Sequence, residues 1–210
     1  MGAPRHLLIL RFALVNVVCF GLAGGAWLEG WLDRAFAGAS LWPCLLIAAV
    51  FAYGLGLCGL RLWQVGCELD DAREASPAPR SQAAWYLAQL AGAPAEQRVT
   101  LASLLRMRLA QSPATVRHVA GMLVLLGLVG TVIGFIVALS GVDPRAVPSV
   151  ENVAPMVARL INGMSIALYT TLVGSVLHLW LMVTQRILAG GSLALYQAIV
   201  ELGGAGAGAR

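Results

Sequence analysis

Uncharged apolar length constrains this chain more than any other feature. No charged residue falls between Arg117 and Asp143, or between Arg159 and Arg186. A helix crossing a hydrocarbon layer of about 30 Å needs roughly 20 mainly apolar residues, and each interval supplies them. Two further runs, 12–28 and 35–60, come earlier. The whole chain is 59% hydrophobic and 11% charged, the profile of a polytopic membrane protein. The expected fold is all-α, with four transmembrane helices and a helical cytoplasmic loop. Residues 1–60 hold the first two helices (about 12–31 and 41–60), and 61–117 form the loop. Residues 118–188 hold the third and fourth helices (about 119–140 and 160–183), and 189–210 form a short cytoplasmic tail.

Several function classes find no support. Cys19, Cys44, Cys58 and Cys67 lack metal-ligand spacing. The histidines do not cluster with carboxylates, and there is no nucleophile–base pair. The glycines near Gly21 lack the strand–turn–helix setting of a nucleotide site. All basic residues are arginine, and the net charge of +4 is spread over loops, so nucleic-acid binding has no basis. No catalytic residue, metal or cofactor is expected.

Local signals set the expected boundaries. Ala35-Phe36-Ala37 looks like a signal-peptidase site, but Glu29, Asp33 and Arg34 intervene, and the run reads as a retained first helix. Pro43 suits the first turn of the second helix. Ser76-Pro77-Ala78-Pro79 ends that helix beyond the membrane. The loop then reads as helices 81–91 and 95–111, split at Gly92-Ala93-Pro94. Leu101, Leu104, Leu105 and Leu109 form an apolar stripe beside Arg98, Arg106 and Arg108, read as packing on the protein's own bundle. Ser112-Pro113 reads as the cap and first residue of the third helix. Gly190-Gly191 reads as the end of the fourth, followed by a short helix 192–202 and a disordered tail.

The last two runs carry the most specific pattern. GLVGTVIGF, Gly127 to Phe135, places Gly127, Gly130, Thr131, Gly134 and Ala138 at 3- and 4-residue steps on one helical face. IALYTTLVG, Ile166 to Gly174, extends to a similar face of Gly163, Ala167, Thr171, Gly174 and His178. Lipid solvates leucine well, so small and weakly polar faces point to protein or a pore. Both faces are expected to be buried between subunits. With one loop joining antiparallel helices, Thr131 and Thr171 each lie roughly 13 Å from the same membrane face. His178 lies about two turns further in and is a candidate proton relay.

The G-T-x-x-G element at Gly130–Gly134 and the A-L-x-x-T-x-x-G element at Ala167–Gly174 resemble those of the MotA/TolQ/ExbB proton-channel family. The motif match covers about 119–183, with Thr131 and Thr171 at the two family threonines and Thr170 as an extra. TolQ- and ExbB-like members usually have a proline where Trp180 stands here. The resemblance implies a homo-oligomer, a pentamer in the family, around a MotB/ExbD/TolR-like single-pass partner carrying an intramembrane Asp. It implies that proton flow drives mechanical work on that partner, with Thr131 and Thr171 hydrating or hydrogen-bonding its carboxylate. No Asp or Glu lies in the middle of any span, so a partner must bring that group. A non-conducting membrane scaffold is the alternative. A small-molecule transporter is disfavoured by the absence of internal repeats and broken midplane helices.

Arginine placement orients the chain. With the N-terminus inside, Arg5, Arg11, the seven arginines of 61–117, Arg186 and Arg210 lie inside, against Arg34, Arg145 and Arg159 outside. That bias puts both termini in the cytoplasm of a bacterial inner membrane. Two short outer loops and a long inner loop resemble the MotA-like arrangement.

Overall fold

The computed structural model describes residues 5–28, 41–73, 81–92, 94–140 and 150–208. These form five helices in chain order: α1 (Arg5–Leu28), α2 (Leu41–Arg73), α3 (Gln82–Ala91), α4 (Ala95–Leu139) and α5 (Val150–Gly208). Among the described residues there is no strand. α1, α2, α4 and α5 each contain a stretch long and apolar enough to cross a membrane. The chain is therefore an all-helical, multi-pass membrane protein. The expected breaks at Ser76–Pro79 and in the 141–149 loop lie outside the described residues.

Two expected boundaries are absent. α4 does not start at Ser112 but runs through Pro113 as one helix. A mid-helix proline removes one backbone donor and costs about 3 kcal/mol in isolation. Here buried Leu105, Leu109 and Val116 hold the helix on both sides of it, and the Gln185 amide donates to the Pro113 carbonyl at 3.4 Å. α5 likewise continues through Gly190-Gly191 to Gly208. A Cβ at Gly191 would sit 3.5 Å from both Leu8 and Val65, so this glycine marks close helix packing and not a helix end.

Two compact units make up the fold. One comprises Met1–Asn16, Leu55–Arg117 and Val183–Arg210. Its core is Leu62, Leu69, Leu105, Leu188, Leu195 and Ile199, all buried. Ser81 caps α3 by accepting from the Ala84 N–H at 3.1 Å. Tyr86 of α3 is buried on Gly203, 3.0 Å from where a Cβ would stand there. Burial holds the Tyr86 hydroxyl above the usual tyrosine pKa. The Arg108 guanidinium lies 4.0 Å over the Trp85 ring. Of the leucine stripe, Leu105 and Leu109 are buried and Leu104 is 45% exposed, so the packed face is narrower than the sequence implies.

The other unit comprises Val17–Gly54 and His118–Met182. Trp180 is buried between Phe20 and Phe51, with ring centroids 4.7 and 4.8 Å away. Gly54 lies against Leu181 and Val119 so tightly that a Cβ there would come within 2.7 and 2.9 Å. Ile47, Leu123 and Ile166 complete the apolar core.

Candidate functional site: the α4–α5 seam and its open lip

Glycine and alanine let two backbones approach, and this unit uses them for one contact. A Cβ at Gly134 would meet Ala167 N at 2.5 Å and Gly163 O at 2.6 Å. A Cβ at Gly174 would meet Leu123 O at 2.8 Å, and one at Gly127 would meet Thr170 O at 3.2 Å. Gly163 faces Ala138 with no room for a side chain, and Gly130 faces the Thr170 side chain in the same way. These contacts ladder down an antiparallel pair: 138 on 163, 134 on 167, 130 on 170, 127 on 171 and 123 on 174. The small faces are thus buried within one chain. Within the chain, each face finds the other across the helical hairpin.

On α5 the ladder holds two adjacent threonines: Thr170 is fully buried in the seam, and Thr171 sits exposed at its edge with its backbone against Gly127. Thr170 bonds its own helix at Ile166 O (2.9 Å) and Ala167 O (3.1 Å). A 3.6-residue turn makes steps of three and four equally good from Ala167, and only the partner helix decides between them. Thr131 and Thr171 each follow a seam residue by one position, so both turn off the seam in the same rotational sense. In antiparallel helices, equal turns put both on the same side. The seam register sets them roughly 3 Å apart along the axis. They sit on one lip of the seam at one depth. Leu128 (60% exposed), Phe135 (57%) and Leu168 (69%) flank them, and that lip is open in the single chain.

Both hydroxyls already donate to backbone. Thr131 bonds Leu128 O of its own helix. Thr171 reaches Ala167 O at 3.2 Å and, across the seam, Gly127 O at 3.3 Å. With the proton so directed, each hydroxyl offers its lone pairs to the lip. His178 lies further along the same helix, with Nδ1 2.7 Å from Ala120 O. A carbonyl only accepts, so Nδ1 carries the hydrogen and neutral His178 keeps a free lone pair on Nε2. Ser175, four residues after Thr171, falls on the same side and was missed in the sequence reading; its spacing from Thr171 and His178 was the available signal. The C-terminal half of the α5 lip therefore carries Thr171, Ser175 and His178, one per turn, while its N-terminal half carries Leu168 and Met164.

Trp180 occupies the position of the proline usual in TolQ- and ExbB-like proteins, and α5 is unbroken there. Its ring fills space on α1 and α2 where a proline would have opened the backbone. No group of three or more His, Cys, Asp or Glu side chains that could hold a metal occurs among the described residues. The family model of the MotA/TolQ/ExbB proton channel family matches residues 96–200, which contain the whole seam and its lip. Neither the curated proteins nor the solved structures give a significant match.

Proposed function

The chain belongs to the MotA/TolQ/ExbB proton channel family, and on that premise we propose that it is one subunit of an inner-membrane proton channel that drives a single-pass partner. The observation that carries the reading is the open lip. Two threonines share one depth and one side of a seam that brings no carboxylate of its own. An ionisable group in a membrane is expensive unless polar neighbours hold it. The lip offers such neighbours without an ion, and the partner's intramembrane Asp supplies the ion without neighbours.

The hydroxyl geometry suits both protonation states of that Asp. A protonated carboxyl donates to the free lone pairs of Thr131 and Thr171 while their own protons stay on Leu128 O, Ala167 O and Gly127 O. An ionised carboxylate needs donors, and each hydroxyl can rotate its proton outward and leave a helix carbonyl that already has a backbone partner. The switch costs little because the second bond to that carbonyl is supplementary. On the inward side, Ser175 and His178 continue the polar path. His178 turns its Nε2 lone pair to that path while Nδ1 stays on Ala120 O.

The assembly reading follows the family: several copies, five in the family, ring the partner helices with their lips turned inward, and proton flow does mechanical work on the partner. Both termini then lie in the cytoplasm. Proton flux into proteoliposomes containing the chain with and without its single-pass partner tests the proposal. Flux is expected only with the partner, and abolished when the partner's Asp is changed to Asn. A complex that assembles but carries no flux in any combination would favour the non-conducting scaffold.

A further inference from the structure

Each of the four long helices carries an arginine at the same end of the bundle, where its uncharged run stops: Arg11 before 12–28 in α1, Arg61 after 41–60 in α2, Arg117 before 118–139 in α4 and Arg186 after 160–185 in α5, whose other end is Arg159. Contacts inside the first unit put these four at one level. Phe12, next to Arg11, lies 3.7 Å from the Cβ position of Gly59, two residues before Arg61. Gly191 of α5 meets both Leu8 and Val65 at 3.5 Å. Gln185, next to Arg186, bonds the carbonyl of Pro113, one turn from Arg117. The four arginines therefore fall within roughly 11 Å along the helix axes, a span that long arginine side chains bridge by snorkelling.

All four side chains are exposed. None pairs with a carboxylate among the described residues, and Arg61 reaches only the Gln64 side chain, at 3.4 Å. No Asp or Glu occurs in 55–67, 104–117 or 183–192, so the belt has no acidic neighbour at its own level. Trp63, 60% exposed, stands beside Arg61 as an amphipathic ring suited to a lipid headgroup region. Unpaired guanidiniums bind phosphate oxygens through two parallel N–H donors.

We propose that Arg11, Arg61, Arg117 and Arg186 form a binding belt for anionic phospholipid headgroups of the inner leaflet. The inference uses the multi-pass membrane fold, with the leaflet set by the arginine bias, and stands whether or not the chain conducts protons. The belt fixes the bundle's height in the bilayer, because phosphates at one depth hold all four helices together.

Native mass spectrometry of the full chain released from nanodiscs of mixed phosphatidylglycerol and phosphatidylcholine tests it. The wild type is expected to retain phosphatidylglycerol preferentially. Each Arg→Gln change in the belt is expected to lower that retention up to roughly fivefold, and Arg→Lys to lower it far less. Arg98→Gln and Arg106→Gln, exposed arginines outside the belt, should leave it unchanged. Should the quadruple Gln variant fail to insert, the pairs Arg11→Gln with Arg61→Gln and Arg117→Gln with Arg186→Gln carry the same reading. Retention blind to headgroup charge, or equal in the belt and control variants, overturns the proposal.

Discussion

Thr170 and Thr171 are neighbours with opposite duties. Thr170 is fully buried against Gly130 with its hydroxyl on its own helix, so Thr170→Val removes one intrahelical bond and keeps the shape. A loss of roughly 0.6 kcal/mol is expected, read as a small drop in thermal stability with proton flux unchanged. Thr184, also fully buried, shares a side-chain hydrogen bond with Cys58 and belongs to the same structural class. His178→Phe keeps a ring in place but loses both the bond to Ala120 O and the second ring nitrogen. Flux is expected to fall. His178→Gln, which can still donate to Ala120 O but has no second nitrogen to pass a proton on, should behave like Phe. Unchanged flux in both variants would remove His178 from the path.

At the scale of elements, the hairpin of α4 and α5 depends on where side chains are absent. Gly134→Leu drives a side chain into the backbone at Ala167 and Gly163, which cannot yield as a flexible side chain would. Gly121, on the same helix, has open space around its Cβ position. Gly134→Leu is therefore expected to abolish the folded, extractable protein, and Gly121→Leu to leave its yield near normal. Equal yields of the two would contradict the seam. Much of the helix layout was legible: the small-residue steps, the α3 helix ending before Gly92-Ala93-Pro94 and the long reach of α2 all follow local rules. The failures share one cause. Ser112-Pro113 and Gly190-Gly191 carry strong local break signals, but packing of Leu105, Leu109 and Val116, and of Gly191 on Leu8 and Val65, carries the helices through. Sequence spacing gives a face only to within one residue, so the burial of Thr170 beside Thr171 was not legible until the partner helix was in place.

At the scale of the whole molecule, composition announced a membrane protein, and hydropathy its four helices. The partner and the copies around the lip are properties of an assembly that one chain's sequence only implies. Orientation is testable first: reporter fusions at Arg80 and Arg210 should score cytoplasmic and one at Pro144 periplasmic. A periplasmic signal at Arg80 would invert the layout and, with it, the inward sense of the Thr171–Ser175–His178 path. The central claim is that the lip hydroxyls serve a proton and not the fold. Valine is nearly isosteric with threonine; Thr131 bonds only its own helix, and the Thr171 bond across the seam to Gly127 O is a long 3.3 Å contact beside the glycine packing that holds the seam. Leaving a partner carboxylate without them costs several kcal/mol for its ionised form and raises its pKa, so proton release stalls. The decisive measurement is proton flux by the reconstituted complex carrying Thr131→Val with Thr171→Val, normalised to assembled protein. The account predicts wild-type assembly with flux lowered at least tenfold; wild-type flux in that double variant would contradict it.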